Sequence, residues 1–556
     1  MALTTARIFE LIADCFPKDY TIRESQKLAI FKAIRAIDTR DQTGIKHVFI
    51  EAPTGVGKSA IGYTIGAICR KEFAYRTSII TKTKMLQDVY RESFGNVIFD
   101  IKGKTNYPCS YDADFYGTPH CVSLKKSGVC KPAMDCEYFQ KRKLWSERAS
   151  VRSTNTNFWL EAGDGVLLGE KNYSEVLIMD ECHTIPGAIV DSTMLVFDIE
   201  DFVNLQKATT IPIMNLRMGF IRMQGYINNT QGDYLVVDDK LLDLIAKERN
   251  EMIPVIARLE EIAPDLPKLE EALGPIKELM VALEVIQNSS LDSEYHIFSR
   301  GSRVEIKPYH AKYVADYKLF RKADFFVHMS ATICGAAEYA RNLGIGSDEY
   351  MYVGLDTPYP VENRQVYYVP CGRMNNRERD SVFPQFVGAM DTLISMFHDR
   401  GIIHSVTYEN AKKILELSEF KHRMYIPSDP YDGITFLNAN PGGILVSPSI
   451  EEGVDLKGDL SRFQIIMKVP FGYLPDPIIK KQFETDPKSY SRDTVMRIVQ
   501  ASGRSIRSET DHANTFILDG AFDRLLDHDK DLFPQWYLNS IVEYTSFNRF
   551  VESLSE

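Results

Sequence analysis

Phe49-Ile50-Glu51-Ala52-Pro53-Thr54-Gly55-Val56-Gly57-Lys58-Ser59 is the stretch that decides the fold, because it joins an apolar strand to a helix through a glycine-bearing turn. The strand begins at His47, and the helix begins near Lys58. Gly55 and Gly57 allow the backbone N–H groups to surround a phosphate, and the positive end of the helix dipole points to the same place. The stretch therefore predicts a phosphate-binding loop in an α/β fold.

The side chains of this loop suit a nucleoside triphosphate with magnesium. Lys58 is expected to hold the β- and γ-phosphates, and Ser59 is expected to place its hydroxyl on Mg²⁺. Thr54 is small enough to leave the phosphate cradle open. Ala52 stands where the pattern G-x-x-x-x-G-K-[ST] has its first glycine, a variant that many nucleic-acid motors carry. The alternative is a glycine-rich turn made for packing, which does not explain the Gly-Lys-Ser sequence.

Length and composition limit the number of domains and the class of protein. The chain has 556 residues, which is too long for one hydrophobic core and predicts about three or four domains. Its hydrophobic share of 44% and charged share of 25% are those of an ordinary soluble protein. The net charge of −11 gives no general basic field, so any nucleic-acid site has to be local.

The N-terminal segment predicts the compartment. Glu10 and Asp14 interrupt its apolar residues, which is not the basic-then-apolar order of a signal peptide. No later apolar run is long enough to cross a bilayer. The expected localisation is therefore cytoplasmic, or nuclear in a eukaryote, with no membrane partner. In such a compartment the nine cysteines are expected to be thiols or metal ligands rather than disulfides.

Two carboxylates directly follow a second predicted strand. Residues 175–179 have the pattern of a buried strand and are followed by Asp180-Glu181-Cys182-His183. Asp180 is expected to hold Mg²⁺ through water, and Glu181 is expected to orient and deprotonate the attacking water. An acidic pair after a strand is only moderately specific. Together with the phosphate loop upstream, it predicts an ATPase.

Two further polar groups are candidates for the nucleotide. Arg23 and Gln26 are three residues apart on one face of a predicted helix, and Gln26 is expected to read an adenine edge. Gln500, Arg504 and Arg507 recur at steps of four and three residues, which predicts one helical face. Arginines held in this way are what a phosphoryl-transfer site needs from across a cleft. In both places the competing interpretation is a solvated polar face.

Residues 102–152 differ from their surroundings, with several cations and four clustered cysteines, Cys109, Cys121, Cys130 and Cys136. Clustered thiolates are candidate metal ligands, but these separations match neither the paired C-x-x-C of zinc ribbons nor the compact ferredoxin spacing. On spacing alone, a zinc site and an iron–sulfur cluster stay equally open, and unliganded buried thiols are a third alternative. Most aromatic residues of this segment are expected to form a small core.

Between residues 185 and 309, helical spacing replaces the strand pattern. Apolar residues recur at three- and four-residue steps and predict an amphipathic helix: Leu269, Leu273, Ile276, Leu279, Leu283 and Ile286. This part is expected to be a helical insertion. A strand at residues 325–329 then ends in Ser330-Ala331-Thr332, whose hydroxyls are expected to link the nucleotide site to the second half.

A second α/β series begins at residue 356. Its predicted strands are residues 401–406, 443–447, 463–467 and 515–518. Gly453 and Asp455 follow one of these strands and are expected to contact both the nucleotide and the backbone of a nucleic acid.

Taken in order, these stretches resemble the XPD/DinG-type helicases of superfamily 2, which carry an iron–sulfur cluster. The match covers nearly the whole chain and rests on residues 52–59, 102–109, 180–183, 330–332, 449–459 and 500–507. Cys182 departs from the family pattern, in which alanine is commoner. The resemblance implies an α/β fold of two RecA-like parallel-sheet motor domains, with a cysteine-rich iron–sulfur insertion and a helical arch insertion in the first. The implied boundaries are 1–101, 153–190 and 311–355 for the first motor domain, 102–152 for the iron–sulfur insertion, 191–310 for the arch and 356–556 for the second motor domain.

The resemblance also implies an activity. The expected protein is an ATP- and Mg²⁺-dependent DNA helicase that moves 5′ to 3′ on single-stranded DNA and unwinds forked or tailed duplexes in repair, recombination or replication. RNA–DNA hybrids are a further expected substrate, and the motor is expected to be monomeric. A [4Fe-4S] cluster on the four clustered cysteines is implied, with zinc as the alternative. The competing function is an ATP-gated nucleic-acid-binding subunit or translocase that does not unwind.

Overall fold

The computed structural model describes residues 2–94, 98–109, 112–116, 136–147, 151–161, 173–228, 234–263, 266–300, 303–374, 379–447, 458–506 and 511–554. The chain divides into two compact units. The first consists of Met1–Phe49, Ser59–Met329 and Ala340–Met351, and the second consists of Ile50–Lys58, Ser330–Tyr339 and Tyr352–Glu556.

The strands of the described residues are, in chain order, β1 (His47–Glu51), β2 (Thr77–Thr81), β3 (Ile98–Asp100), β4 (Pro108–Cys109), β5 (Asp112–Tyr116), β6 (Val151–Asn155), β7 (Ser174–Asp180), β8 (Leu195–Asp198), β9 (Tyr234–Val236), β10 (Glu294–Arg300), β11 (Arg303–Pro308), β12 (Ala323–Ser330), β13 (Tyr350–Gly354), β14 (Val366–Gly372), β15 (Gly401–His404), β16 (Met424–Tyr425), β17 (Ile444–Ser447), β18 (Phe463–Ile466), β19 (Asn514–Asp519) and β20 (Ile541–Glu543).

The helices of the described residues are α1 (Thr5–Cys15), α2 (Glu24–Thr43), α3 (Lys58–Phe73), α4 (Lys84–Phe94), α5 (Glu137–Glu147), α6 (Thr156–Glu161), α7 (Ile185–Asp191), α8 (Ile199–Ala208), α9 (Met214–Asn228), α10 (Asp239–Ile262), α11 (Pro267–Gln287), α12 (Ala315–Lys318), α13 (Ala336–Leu343), α14 (Arg379–Ser395), α15 (Tyr408–Leu417), α16 (Pro430–Ala439), α17 (Pro477–Thr485), α18 (Pro487–Ser502), α19 (Phe522–His528), α20 (Gln535–Leu538) and α21 (Phe547–Ser553). No helix in this described part of the chain has the length and apolarity to cross a membrane.

The main sheet of the first unit has the strand order β13-β1-β12-β7-β2-β6-β3. The strands run parallel from β12 through β7, β2 and β6 to β3. Every residue of β1, β2 and β6 is buried, which is typical of parallel strands covered on both faces. The last residues of β1, β12 and β13 belong to the second unit.

The sheet of the second unit has the order β16-β17-β15-β18-β19-β14-β20, and each neighbouring pair runs parallel. The predicted strands of the second series are confirmed as β15, β17, β18 and β19, with ends that differ by one or two residues. The sequence did not predict β14, β16 and β20. The strands β16 and β20 are too short to show an apolar pattern, and β14 contains Pro370. The two parallel sheets confirm the predicted α/β class.

The helical insertion of the first unit is built on α8, α9, α10 and α11. The predicted apolar stripe lies on α11, and all six of its residues are buried. Pro267 stands in the first turn of α11, where its missing N–H removes no helical hydrogen bond. The sequence missed an antiparallel sheet in the order β8-β11-β10-β9, whose short strands stand between long helical patterns.

The described part of the cysteine-rich segment contains a short hairpin, β4 and β5, and the helix α5. Tyr107, Tyr138 and Trp145 are buried, and the guanidinium of Arg152 lies 4.2 Å from the centre of the Trp145 ring. The expectation that most aromatic residues here form a core is therefore confirmed for these three.

Candidate active site

The loop after β1 has the backbone that a phosphate cradle needs. Gly55 and Gly57 have φ angles of 79° and 88°, in the left-handed region that glycine adopts without steric cost. Both glycines are exposed, and α3 begins at Lys58, directly after the second glycine. The start of α3 therefore has the glycine turn and the helix N-terminus that are typical of a phosphate site.

In the first unit, a tyrosine hydroxyl joins two candidate magnesium ligands. The buried Tyr90 donates a hydrogen bond of 3.1 Å to Oδ2 of Asp180 and is also hydrogen-bonded to the side chain of Ser59. Burial, with the negative charge of Asp180 next in importance, raises the pKa of Tyr90 well above its usual value, so the phenol stays neutral. A hydroxyl and a carboxylate so placed are oxygen ligands that fit Mg²⁺.

Glu181 has an unusual backbone. Its φ angle is 54°, a left-handed conformation that is uncommon outside glycine. Its N–H donates a hydrogen bond of 3.0 Å to Oδ1 of the preceding Asp180, and its carboxylate lies 3.3 Å from Nδ1 of His183. Its side chain keeps 24% of its surface exposed, whereas Asp180 is only 3% exposed. Glu181 is therefore the more accessible carboxylate of the acidic pair.

In the second unit, α18 ends at Ser502, and Gly503–Ser505 form a 3₁₀ turn. Arg504 therefore lies in this turn, and the prediction that it continues the helical face of Gln500 is wrong. Glycine has a low helix propensity, which favours an end at this position. Gln500 donates a hydrogen bond of 2.9 Å to the hydroxyl of Thr332. Thr54, from the phosphate loop, donates a long one of 3.4 Å to the carbonyl of Gly503.

Known families match the two ends of the chain. Residues 387–540 match the family of helicase C-terminal domains, and residues 19–209 match the family of the res subunit of type III restriction enzymes. No curated protein matches the chain.

Solved structures show the same fold. A structure described as an XPD helicase covers 94% of this chain and 100% of its own, with a TM-score of 0.56 and 14% identity. Xpd4 of S. tokodaii has a TM-score of 0.56 and 12% identity, with 94% of this chain and 100% of that chain covered. A structure of XPD in its apo form has a TM-score of 0.54 and 15% identity, with coverages of 93% and 100%.

The chain therefore has the fold of XPD helicases and matches a helicase C-terminal domain over residues 387–540. The two parallel sheets of the chain are consistent with two RecA-like domains. The match to a helicase C-terminal domain implies an ATP-driven enzyme that acts on nucleic acid.

The chain also contains a buried carboxylate that the sequence did not single out. Glu51, the last residue of β1, accepts hydrogen bonds from the N–H groups of Ile333 and Cys334, at 2.6 and 2.9 Å, and from the hydroxyl of Tyr352. Burial raises the pKa of Glu51, and these hydrogen bonds oppose that effect. Cys334 has a φ angle of 52°. Glu51 thus fixes the loop that follows β12, close in sequence to Thr332.

Tyr359 is a second residue that the sequence missed. A Cβ atom added to Gly55 would lie 1.4 Å from the Tyr359 hydroxyl oxygen. Tyr359 is buried and packs with Ile506 and Ala513. Gly55 is therefore required by this close approach as well as by its φ angle. Within the linker sequence, nothing distinguished this tyrosine from its neighbours.

Gln26 has a structural task at the start of α2. It is buried, and its Oε1 accepts a hydrogen bond of 2.8 Å from the N–H of Arg23. The side chain thereby caps the helix, and its contact with adenine stays a prediction.

The remaining candidate residues are only partly described. Cys109 ends β4 and Cys136 directly precedes α5, and both are half-buried free thiols. Among the described residues, no group of three or more His, Cys, Asp or Glu side chains could hold a metal ion. The other candidates lie outside the described residues: Cys121, Cys130, Gly453, Asp455 and Arg507.

We expect Glu51→Ala to lower the melting temperature more than Glu51→Gln. Alanine leaves the buried N–H groups of Ile333 and Cys334 without their acceptor, at a cost of about 1–3 kcal/mol for each group. Glutamine keeps a carbonyl oxygen for them and removes the buried charge whose desolvation raises the pKa of Glu51. Thermal unfolding followed by circular dichroism measures the difference, and equal melting temperatures for the two variants would contradict the role assigned to Glu51.

Proposed function

We propose that this protein is a helicase that hydrolyses ATP with Mg²⁺ to move 5′ to 3′ along single-stranded DNA and to separate forked or tailed duplexes, in repair, recombination or replication. The observation that carries the ATPase part is the hydrogen-bonded group of Ser59, Tyr90 and Asp180. The DNA substrate, the direction and the unwinding rest on the family resemblance. RNA–DNA hybrids, a monomeric state and the domain boundaries inferred from the sequence belong to the same proposal.

The phosphate loop binds the nucleotide in this proposal. The N–H groups near Gly55 and Gly57 and the ammonium of Lys58 hold the β- and γ-phosphates, and Thr54 leaves the cradle open. The hydroxyl of Ser59 and, through water, the carboxylate of Asp180 hold Mg²⁺, which neutralises charge on the phosphate oxygens. Gln26, with Arg23 beside it, reads the adenine edge.

The reaction is an attack by water on the γ-phosphorus. Glu181 orients this water and accepts its proton, while the bond from the γ-phosphorus to the bridging oxygen of ADP breaks. Arg504 and Arg507 supply positive charge to the oxygens of the transferring phosphoryl group, and Gln500 of α18 acts with them. The exposure of the Glu181 side chain supports this role, because a water molecule has to reach it.

The nucleic-acid side of the proposal uses two further regions. Gly453 and Asp455 are proposed to contact both the nucleotide and the DNA backbone. Cys109, Cys121, Cys130 and Cys136 are proposed to hold a [4Fe-4S] cluster, with zinc as the alternative. The free thiols of the two described cysteines are suitable donors for either. A cluster there supplies a cross-link to a segment of about fifty residues, a length at which a hydrophobic core alone gives marginal stability.

Lys58→Ala and Glu181→Gln are each expected to abolish ATP turnover with and without single-stranded DNA while the melting temperature changes little. Lys58 neutralises phosphate charge, and loss of a general base lowers rates by about 10²- to 10⁴-fold. Phosphate release measures this. Glu10→Gln, which changes an exposed carboxylate of α1, is the matched control and should keep the wild-type rate. Near-normal turnover in Glu181→Gln would exclude the proposed role of Glu181.

Protein purified without oxygen is expected to be brown and to contain iron and labile sulfide in equal amounts. Cys136→Ser should lose both, because it removes a ligand. Cys371→Ser changes a half-buried thiol of β14 and should keep both. One zinc per chain with no iron, measured by plasma mass spectrometry, would decide for the alternative metal.

Cys121→Ser, if the protein stays soluble, is expected to keep substantial DNA-stimulated ATPase activity and to lose unwinding of a duplex with a 5′ single-stranded tail. The reason is that every residue proposed for ATP chemistry lies outside residues 102–152. Cys371→Ser is the control and should unwind normally. A strand-displacement assay gives the result. Equal unwinding by Cys121→Ser and wild type, or a wild type that opens only 3′-tailed duplexes, would contradict the proposal.

A further inference from the structure

The turn that carries Arg504 is held by side chains from other parts of the second unit. The amide Nε2 of Gln464 donates a hydrogen bond of 3.0 Å to the carbonyl of Ser502. The hydroxyls of Ser502 and Tyr537 are 3.0 Å apart, and the hydroxyl of Ser505 donates to that of Ser461 at 2.8 Å. Arg504 therefore lies between Ser502 and Ser505, whose positions are fixed by hydrogen bonds to buried or half-buried polar groups.

Among the residues that hold this turn, Gln464 is the one that the sequence gives least reason to expect. It lies in β18, between the apolar residues Phe463 and Ile465, and it is fully buried. β18 itself lies between β15 and β19 in the sheet. A buried amide is unfavourable unless its donor and acceptor groups are paired. An apolar side chain would fill this position without that requirement, so the amide indicates a specific task.

His404 fixes the orientation of this amide. It ends β15, is fully buried, and its Nε2 lies 3.1 Å from Oε1 of Gln464. Burial lowers the pKa of His404 to about 4, with a smaller contribution from the positive charge of Arg504. The imidazole is therefore neutral near pH 7, and its Nε2–H donates to Oε1. With Oε1 occupied, Nε2 of Gln464 faces the carbonyl of Ser502.

The carbonyl of Ser502 is one of the last carbonyls of α18, which have no partner within the helix. The side chain of Gln464, which lies in the sheet, donates a hydrogen bond to this carbonyl. It therefore determines where the helix ends and the direction of the following turn. Arg504 lies two residues after Ser502. A displacement of about 1 Å in a group that acts on the transition state can cost about 10²-fold in rate.

We propose that Gln464, held by His404, is a positioning residue that sets the direction of Arg504 through the carbonyl of Ser502. This inference rests on the proposed function, in which Arg504 stabilises the transferring phosphoryl group. It adds to that function a residue of the sheet interior that contacts neither nucleotide nor DNA.

Gln464→Met tests the inference, because methionine has a similar volume and makes neither hydrogen bond. The kcat of ATP hydrolysis in the presence of single-stranded DNA is expected to fall about 10- to 100-fold, with little change in the KM for ATP. Thr494→Val is the matched control. It removes a buried hydroxyl of α18 that bonds only the carbonyl of Tyr490 within the helix, and it should keep kcat. Gln464→Asn, whose shorter amide cannot make both contacts, replaces Gln464→Met if the latter does not fold.

A double-mutant cycle with Arg504→Ala separates positioning from general stability. Arg504→Ala is expected to lower kcat by about 10³-fold or more, and Gln464→Met should add nothing to that loss. If Gln464→Met lowers kcat by the same factor in both backgrounds, or leaves the wild-type rate unchanged, the inference is overturned. If Arg504→Ala leaves kcat unchanged, the proposed role of Arg504 fails first, and that result is distinguishable because it needs no Gln464 variant.

Discussion

Parallel strand pairing is the constraint on which the rest of the structure depends. When strands run parallel, their carboxyl ends meet at one edge of the sheet, and polar residues that follow different strands come together there. In the first unit, Asp180 ends β7, which pairs in parallel with both β12 and β2. In the second unit, His404 ends β15 beside β18, which carries Gln464. The strands β15 and β18 are buried throughout, so polar side chains near these ends are shielded from water and need partners within the protein.

Buried charges at such edges require partners, and the loop after β12 shows how the second unit provides them. Glu51 accepts the N–H groups of Ile333 and Cys334, while the fully buried Arg492 donates to the carbonyl of Ile333 at 3.0 Å. The backbone of this loop therefore stands between a carboxylate and a guanidinium, and the positive charge of Arg492 opposes the rise in the pKa of Glu51 that burial causes. The guanidinium also lies 5.4 Å from the ring centre of Tyr339. A loop held in this way on both sides has little freedom to change conformation.

The sequence predicted those features of the structure that depend on residues close together along the chain. The turn between β1 and α3, the strand that ends at Asp180 and the apolar stripe of α11 are local patterns, and the structure contains these elements where they were predicted. The contacts of Glu51 could not be predicted, because its partner Ile333 is 282 residues away along the chain. The same reason applies to Gln464, whose partners lie on other elements. The end of α18 was missed because the step from Gln500 to Arg504 fits a helix, while the end is set by Gly503 and by contacts from the sheet.

The acidic pair shows how strain and hydrogen bonding are balanced at one site. The left-handed backbone of Glu181 costs on the order of 1–3 kcal/mol. In this conformation the N–H of Glu181 donates a hydrogen bond to Oδ1 of Asp180. A hydrogen bond to a charged group contributes about 1.5–3 kcal/mol to stability. The two terms are comparable, so the hydrogen bond to Asp180 offsets the cost of the left-handed backbone, while Tyr90 holds the other oxygen of Asp180. The carboxylate proposed to hold Mg²⁺ therefore also fixes the backbone of Glu181, and its replacement would disturb both tasks at once.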